Sequence, residues 1–219
     1  MISTIIFDLD GTIADTIDAL KSGMNLTMRT LGYPEKTREE IRQAINYGAR
    51  HFVKMCMPEE HQNDDRKVDE AFAVYEKSYA KTFRETDRPY DGMTEALTEL
   101  HARGYTIAVF SNKQDSFVLE LVKQLVPEGI CTLARGQRPG TPAKPDRGVS
   151  LALCKELETT PENCALVGDS HIDMQTAKNA GFLAVGVSWG YRPEVLREEG
   201  ARYIVDHPSQ LLDIFPPLS

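Results

Sequence analysis

The sequence lacks long apolar runs and basic clusters, and each absence narrows the class of protein. No apolar stretch in the 219 residues approaches the ~18 residues that a membrane-spanning helix needs. The first ten residues have no basic flank, and their apolar part is too short for a signal peptide. Lys and Arg number 25 against 33 Asp and Glu, and the net charge is −8. Binding to nucleic acid or to an anionic membrane through charge is therefore disfavoured.

Signatures of thiolate metal sites, disulfide frameworks and nucleotide sites are missing as well. The cysteines are scattered, without a CxxC pair or a histidine at metal-ligand spacing: Cys56, Cys131, Cys154 and Cys164. This usage predicts reduced core thiols in a cytoplasmic protein rather than disulfides or a zinc site. There is neither a GxxxxGKS/T loop nor a GxGxxG turn after the first apolar run. Nucleotide-hydrolysing P-loop proteins and the usual dinucleotide-binding enzymes are therefore excluded.

What the sequence does contain is an alternation of short apolar runs with helical patterns. Hydrophobic residues make up 41% and charged residues 26%, as in an ordinary globular protein. The alternation predicts βαβ units and a parallel sheet, and hence an α/β fold. The predicted strands are Thr4–Phe7, Thr106–Phe110, Ile130–Leu133, Ala165–Val167, Leu183–Val187 and Tyr203–Val205. The predicted helices between and after them are Thr94–Arg103, Asp115–Leu125, Arg147–Leu157, Ile172–Ala180 and Pro193–Glu198.

Residues 15–85 interrupt this alternation with three or four helical patterns and no strand. Thr37 and Glu40 form a capping-box pattern at the start of one of these helices. The simplest interpretation is a helical insert over the carboxyl edge of the sheet. The chain then divides into an α/β core of residues 1–14 and 86–219 and a helical domain of residues 15–85. The alternative is a helix-rich first crossover, although crossovers usually run nearer roughly a dozen or two residues.

Polar side chains follow strand after strand of the predicted sheet. In chain order they are Asp8, Asp10 and Thr12 after the first strand, Ser111, Asn112 and Lys113 after the second, Lys144 after the third, and Asp169 and Asp173 after the fourth. Open α/β sheets bind ligands beyond the carboxyl ends of their strands. We therefore expect these groups to form one site.

The residue types in this set indicate one kind of chemistry. Converging carboxylates repel one another, and burial pushes their pKa values upward. A hard divalent cation removes the conflict, and all-oxygen ligation favours Mg²⁺ over zinc. A cation together with a lysine suits a phosphoryl group, whose oxygens need neutralising during transfer. With no Ser-His-Asp or Cys-His arrangement evident, a carboxylate is the expected nucleophile.

These segments resemble the four motifs of the haloacid-dehalogenase-like hydrolase superfamily, in the family's order and over the whole chain. The motifs are DxDGT at Asp8–Thr12, Ser111-Asn112, Lys144-Pro145 and GDSxxD at Gly168–Asp173. The helical insert resembles the helical cap of that family, and the most similar group is the phosphoglycolate-phosphatase-like branch. The resemblance implies a Rossmann-like three-layer core with a cap inserted after the first strand.

The resemblance also implies roles for the acidic residues. Asp8 would attack phosphorus and form an aspartyl-phosphate. Asp10 would protonate the leaving-group oxygen and then take a proton from the hydrolytic water. Mg²⁺ would be held by the Asp8 side chain, the Asp10 main-chain carbonyl and Asp169. Asp173 would support that shell, directly or through water.

The remaining roles concern the substrate. Lys144 would balance negative charge on Asp8 and on the phosphoryl oxygens. Thr12 would orient the first loop, while Ser111 and the Asn112 amide would bind phosphate. In the helical insert the segment NYGARHF, residues 46–52, resembles a connection that faces the active site in this branch. Arg50 would there meet a second anionic group of the substrate, with a solvated surface arginine as the alternative.

The position of Asp10 narrows the reaction, because relatives that cleave carbon–halogen bonds lack an acid two positions after the nucleophile. The expected activity is Mg²⁺-dependent hydrolysis of a small phosphorylated metabolite, with phosphoglycolate first and sugar phosphates, nucleotides or pyrophosphate as alternatives. The expected state is a monomer or homodimer without nucleic-acid or membrane partners. Two interpretations from other classes are a phospho-accepting signalling receiver and a non-catalytic interaction protein. Lys113 follows Ser111 and Asn112 at the same strand end and is left without an assigned role, since a lysine beside these residues can also be exposed.

Overall fold

The computed structural model describes residues 1–45, 47–86 and 88–218, and in these ranges six strands form one parallel sheet. The strands are β1 (Thr4–Phe7), β2 (Thr106–Gln114), β3 (Cys131–Gln137), β4 (Cys164–Gly168), β5 (Leu183–Val187) and β6 (Tyr203–Val205). Their order in the sheet is β3-β2-β1-β4-β5-β6, and every neighbouring pair is parallel. The predicted α/β fold with a parallel sheet is confirmed.

Helices fill the connections between the strands. The α-helices are α1 (Ile17–Leu31), α2 (Arg38–Ala44), α3 (Ala49–Cys56), α4 (Glu59–Gln62), α5 (Asp65–Thr82), α6 (Met93–Ala102), α7 (Asp115–Leu125), α8 (Arg147–Glu156), α9 (His171–Ala180) and α10 (Leu211–Ile214). Short 3₁₀ turns lie at Phe83–Glu85, Pro161–Asn163, Pro193–Val195 and Pro208–Gln210. In the described ranges no helix has both the length and the apolar composition needed to cross a membrane.

One predicted helix and two predicted strands differ from the structure, and the second of these strands, β3, runs past its predicted end at Leu133 to Gln137. The segment Pro193–Glu198 is a 3₁₀ turn over Pro193–Val195 followed by further turns, so the predicted α-helix is wrong. The Val195 and Gly200 N–H groups donate to carbonyls three residues back, those of Arg192 and Arg197, which is the pairing of 3₁₀ turns rather than of an α-helix. Strand β2 runs past its predicted end at Phe110, because a register shift lets Gln114 pair with Gln137 of β3.

Strand β1 is buried on both faces, as expected for a central strand of a parallel sheet covered by helices. Ile6 and Leu166 pack on the face that carries α8 and α9, where Leu153 and Met174 complete the core. Right-handed crossovers place α6 and α7 on the opposite face, given the observed strand order. The sheet is therefore the middle of three layers.

The chain reverses its direction of travel across the sheet between β1 and β4, which lie side by side. After β1 the chain moves outward through β2 to β3, and after β4 it moves the other way through β5 to β6. Loops at such a switch point diverge to opposite faces and leave a crevice at the carboxyl ends of the two strands. This crevice is where the acidic segments of β1 and β4 end.

Two compact units make up the chain: Met1–Asp15 with Arg88–Ser219, and Thr16–Asp87. The first unit holds the sheet, and the second holds helices α1 to α5. Within the helical unit, Gly23 lets α1 approach α5 closely, since a Cβ there would lie 3.0 Å from Tyr79 Cδ2 and 2.9 Å from Thr82 Oγ1. The Thr82 hydroxyl donates to the Ala19 carbonyl across the same contact, at 3.1 Å. That this unit acts as a cap stays a prediction.

The predicted capping box at the start of α2 is confirmed. The Glu40 N–H donates to Thr37 Oγ1 at 3.2 Å, and the Thr37 N–H donates to Glu40 Oε2 at 2.8 Å. The two residues thus satisfy backbone donors that the first turn of a helix leaves open.

Candidate active site

The loop after β1 fixes the first two acids. The Asp8 N–H donates to the Val167 carbonyl at 2.9 Å and so continues the pairing of β1 with β4. Leu9 is fully buried, and its carbonyl accepts N–H bonds from Thr12 and from the two residues that follow Thr12. Gly11 takes a φ of +81°, which glycine adopts without strain. A buried anchor and a tight turn therefore hold Asp8 and Asp10 beside the switch point.

Lys144 lies buried between two carboxylates. Its Nζ is 2.9 Å from Asp8 Oδ1 and 2.7 Å from Asp173 Oδ1. The other oxygen of Asp173, Oδ2, accepts the Ser170 N–H at 3.1 Å and the Ser170 hydroxyl at 2.7 Å. Burial alone would lower the pKa of Lys144, but Asp173 and Asp8 hold that pKa above its usual value. The lysine is thus a permanent positive charge at the end of β1.

Asp169 is enclosed by backbone from two loops. Its Oδ2 accepts the Tyr191 N–H at 2.6 Å. A Cβ on Gly11 would lie 2.4 Å from Asp169 Oδ2, and a Cβ on Gly190 would lie 2.2 Å from Asp169 Cβ. Burial, followed by the charges of Asp173 and Asp8, raises the pKa of Asp169 well above its usual value. Only glycines leave room for the carboxylate in this position.

Three buried carboxylates offer oxygens to a common point. One oxygen from each of Asp8, Asp169 and Asp173 lies within 4.8 Å of the others. Burial raises the pKa of Asp8 to about 7, with Asp173 and Asp10 adding to the shift and Lys144 opposing it. Ionising the whole group is therefore unfavourable unless a cation balances it. The all-oxygen donor set and its excess negative charge fit a hard divalent cation such as Mg²⁺.

The Asp10 side chain has a different partner from the other acids. Lys113 Nζ lies 2.8 Å from Asp10 Oδ1 and 3.1 Å from Oδ2, and the Lys113 side chain is only 5% exposed. Of the two possibilities that the sequence left open for Lys113, a group of the site or an exposed lysine, the structure shows the first. The pair was not predicted from the sequence, because Asp10 and Lys113 lie 103 positions apart and meet only when β1 and β2 pair. The predicted use of the Asp10 carbonyl as a metal ligand stays a prediction.

Ser111 and Asn112 are both buried at the end of the apolar part of β2. Ser111 Oγ accepts the Lys113 N–H at 3.2 Å. The Asn112 side chain holds the backbone of Lys144 at two points: its Nδ2 donates to the Lys144 carbonyl at 2.9 Å, and its Oδ1 accepts the Lys144 N–H at 2.7 Å. Asn112 thereby positions the lysine, while the phosphate contacts of this segment stay predictions.

A further loop, residues 188–191 after β5, contacts the site without contributing a charge. Trp189 Nε1 donates to the Thr12 carbonyl at 3.1 Å, and the Tyr191 hydroxyl donates to Asp15 Oδ1 at 3.1 Å. The Thr12 hydroxyl is buried and has no hydrogen-bond partner among the described residues. The loop was not predicted from the sequence, because it contacts the site with an indole N–H and a backbone N–H, which no charge pattern marks. Its only signal was a glycine between two aromatic residues at a strand end.

Arg50 belongs to the helical unit and is exposed. Its guanidinium pairs with Asp69 Oδ1 at 2.7 Å and with Asp65 Oδ1 at 2.9 Å. The hydrogen bonds that Arg50 donates to Asp69 and Asp65 raise its pKa. A contact between Arg50 and substrate stays a prediction, and Asn46, the first residue of its predicted segment, lies outside the described residues.

Comparison with known proteins agrees with this geometry. The family model of the haloacid dehalogenase-like hydrolases matches residues 5–187. A phosphoglycolate phosphatase of Nitrosospira multiformis is 32% identical over 87% of this chain and 85% of its own length. One of Thiobacillus denitrificans is 31% identical over 87% and 85%. A crystal structure from Lactobacillus delbrueckii subsp. bulgaricus, of a protein assigned by prediction as a phosphoglycolate phosphatase, superposes with a TM-score of 0.87. It is 28% identical and covers 98% of both chains.

The chain therefore belongs to the haloacid dehalogenase-like hydrolase family. Within that family it is a phosphatase, and the predicted phosphoglycolate-phosphatase-like branch is confirmed by these relatives.

Proposed function

We propose that the protein hydrolyses small phosphate monoesters with Mg²⁺, through an aspartyl-phosphate on Asp8, and that phosphoglycolate is its substrate. The observation that carries the mechanism is the Asp8–Lys144–Asp173 network beside Asp169 at the switch point. The names of the relatives from Nitrosospira multiformis and Thiobacillus denitrificans support the substrate. Sugar phosphates, nucleotides and pyrophosphate are the alternatives within the same reaction class.

The reaction proceeds in two displacements. A carboxylate oxygen of Asp8 bonds to phosphorus while the bond from phosphorus to the leaving-group oxygen breaks, and Asp10 gives that oxygen its proton. Asp10 then takes a proton from a water molecule, whose oxygen attacks the phosphorus of the aspartyl-phosphate. Inorganic phosphate leaves, and the Asp8 carboxylate is restored. Lys144 stays charged throughout and balances negative charge on Asp8 and the phosphoryl oxygens.

The carboxylates of Asp8 and Asp169 and the Asp10 carbonyl would hold Mg²⁺, and Asp173 would bind it directly or through water. When bound, the cation neutralises phosphoryl oxygens and favours ionised carboxylates. Ser111, the Asn112 N–H and Thr12 are the proposed phosphate-side contacts. The buried Thr12 hydroxyl supports this, since burying an unpaired hydroxyl is costly unless a ligand completes its bonding.

A screen of phosphorylated metabolites with Mg²⁺ tests the proposal, with Asp8→Asn beside the native protein. The variant removes the nucleophile, so we expect turnover to fall by at least about a thousandfold, within the range seen for loss of a nucleophile. Asp213→Asn, at an exposed carboxylate of α10, is the matched control and keeps full activity. Acid quenching during turnover of a labelled ester traps the phosphoryl group on native protein only. Full turnover by Asp8→Asn rules out the covalent route.

A further inference from the structure

Lys113 is a fixed cation beside the proposed acid–base residue. Its Nζ contacts both oxygens of Asp10, and the two side chains are 5% and 12% exposed. The backbone around Lys113 is close-packed: a Cβ on Gly136 would lie 2.5 Å from the Lys113 carbonyl oxygen. The Gly136 N–H also donates to Asp115 Oδ1 at 2.8 Å, two residues after Lys113. These contacts fix the backbone at Lys113, and the ion pair with Asp10 holds its ammonium.

The position of Lys113 relative to the leaving group follows from the role of Asp10. A proton donor must lie ~2.6–3.2 Å from the oxygen that it protonates. Since Lys113 Nζ is 2.8 Å from Asp10 Oδ1, this ammonium lies within about 6 Å of the leaving-group oxygen. A negative group attached close to that oxygen therefore comes within ion-pair distance of Lys113.

A two-carbon phospho-carboxylic acid carries such a group. One methylene separates its ester oxygen from its carboxylate carbon, so a carboxylate oxygen lies about 3 Å from the ester oxygen. When the carboxylate is turned toward Lys113, at most about 3 Å remains to Nζ, a gap that an N⁺–H···O⁻ bond of ~2.7–2.9 Å spans. A neutral leaving group of the same length offers no partner for the charge.

The same molecule already shows one lysine serving two carboxylates. Lys144 Nζ contacts Asp8 and Asp173 together. An ammonium has three N–H donors, so contact with Asp10 is compatible with a second acceptor. We propose that Lys113 forms a carboxylate subsite beside Asp10 and selects leaving groups with a carboxylate one carbon from the ester oxygen. This inference rests on the proposed function, because it takes Asp10 as the residue that meets the leaving group.

Two esters that differ only at the carboxylate test the subsite. These are phosphoglycolate and 2-hydroxyethyl phosphate, in which a hydroxymethyl group replaces the carboxylate. For native protein with Mg²⁺ we expect kcat/KM to favour phosphoglycolate by roughly 10- to 100-fold. Lys113→Met is expected to abolish most of that preference, while Lys113→Arg restores part of it. The preference is a ratio within one preparation, so partial loss of folded protein cancels.

Two controls distinguish recognition of the substrate carboxylate by Lys113 from an effect of Lys113 on the position of Asp10. Lys123→Met removes an exposed lysine of α7 and leaves the preference unchanged. Competitive inhibition by inorganic phosphate stays the same in Lys113→Met, because phosphate lacks the carboxylate.

Equal losses on both esters in Lys113→Met would mean that Lys113 acts only through Asp10, and the subsite would be refuted. Equal kcat/KM for the two esters in native protein also refutes the subsite, yet leaves the proposed phosphatase activity intact. If native protein hydrolyses neither ester or any other in the screen, the proposed function fails and the subsite with it.

Discussion

Asn112 shows how an uncharged side chain supports the charged ones. Its amide pairs with both the N–H and the carbonyl of Lys144, at 2.7 and 2.9 Å. Lys144 in turn contacts Asp8 and Asp173. One amide thus fixes the backbone from which the central lysine of the site extends.

Replacing Asn112 with Ala leaves two buried backbone groups of Lys144 without these partners. An unsatisfied buried group costs ~1–3 kcal/mol, so we expect unfolding in urea at clearly lower concentration and kcat reduced roughly 10- to 100-fold. Asn179→Ala is the matched control, since Asn179 Nδ2 gives a single bond to the neighbouring Pro145 carbonyl at an exposed position. If both variants lose the same stability and activity, the two-point contact has no special importance.

At the scale of elements, the loop of residues 188–191 holds the two halves of the carboxylate site together. Trp189 binds the Thr12 carbonyl in the first loop, and Tyr191 binds Asp169 in the loop after β4. Gly190 lies between these contacts, and a Cβ there would lie 2.5 Å from the Gly11 carbonyl oxygen. The loop therefore sets the distance between the turn after β1, which carries Thr12, and Asp169 after β4.

Gly190→Ala tests this function of the loop. The added methyl would overlap Asp169, so the carboxylate must move, and we expect Mg²⁺ affinity to fall roughly 10- to 100-fold, as when ligand-orienting groups are lost. Isothermal titration with Mg²⁺ measures the effect without turnover. Gly148→Ala, at an exposed position in α8, is the control and keeps native affinity. Unchanged Mg²⁺ binding in Gly190→Ala would show that the loop does not position Asp169.

Some features of these elements are visible along the sequence, and others arise only from contacts that the fold makes. Strand β1 and the acids after it were predictable, because a buried apolar run followed by carboxylates is visible in the sequence itself. The Lys113–Asp10 pair was not, because its two residues lie 103 positions apart and each could equally have met another charged group at the same sheet edge. The contacts of Trp189 and Tyr191 use indole and backbone donors, which no charge pattern reveals. The ion pairs of Arg50 could not be predicted either, because Asp65 and Asp69 lie on a different helix.

For the whole molecule, the site is a source of pH-dependent instability when no cation is bound. The pKa of Asp8 is raised to about 7, and that of Asp169 is raised as well. In the unfolded chain an Asp loses its proton near pH ~3.9. Between these values the unfolded chain binds fewer protons than the folded protein. The free energy of unfolding therefore falls as pH rises from about 4 to about 7.

Mg²⁺ should offset this loss, so its effect on the melting temperature is expected to grow with pH. At saturating Mg²⁺ we expect a rise of roughly 5–10 °C at pH 8 relative to protein in EDTA, and a smaller rise at pH 5. Scanning calorimetry at both pH values measures the difference. Asp169→Asn removes one carboxylate and most of the Mg²⁺-induced rise. An equal rise at pH 5 and pH 8 would contradict the link between cation binding and these carboxylates.

The two lysines also set the formal net charge of the site. Among the described residues that form it, Asp8, Asp10, Asp169 and Asp173 carry four negative charges when ionised, and Lys113 and Lys144 carry two positive ones. The difference equals the charge of one divalent cation. With all four acids ionised a loaded site is therefore neutral, and once Asp10 carries the proton that it gives to the leaving group, the site has one net positive charge toward the phosphate dianion. That charge is the same for every phosphate ester. Discrimination among phosphorylated compounds then depends on local pairings, such as that of Lys113, rather than on the overall field.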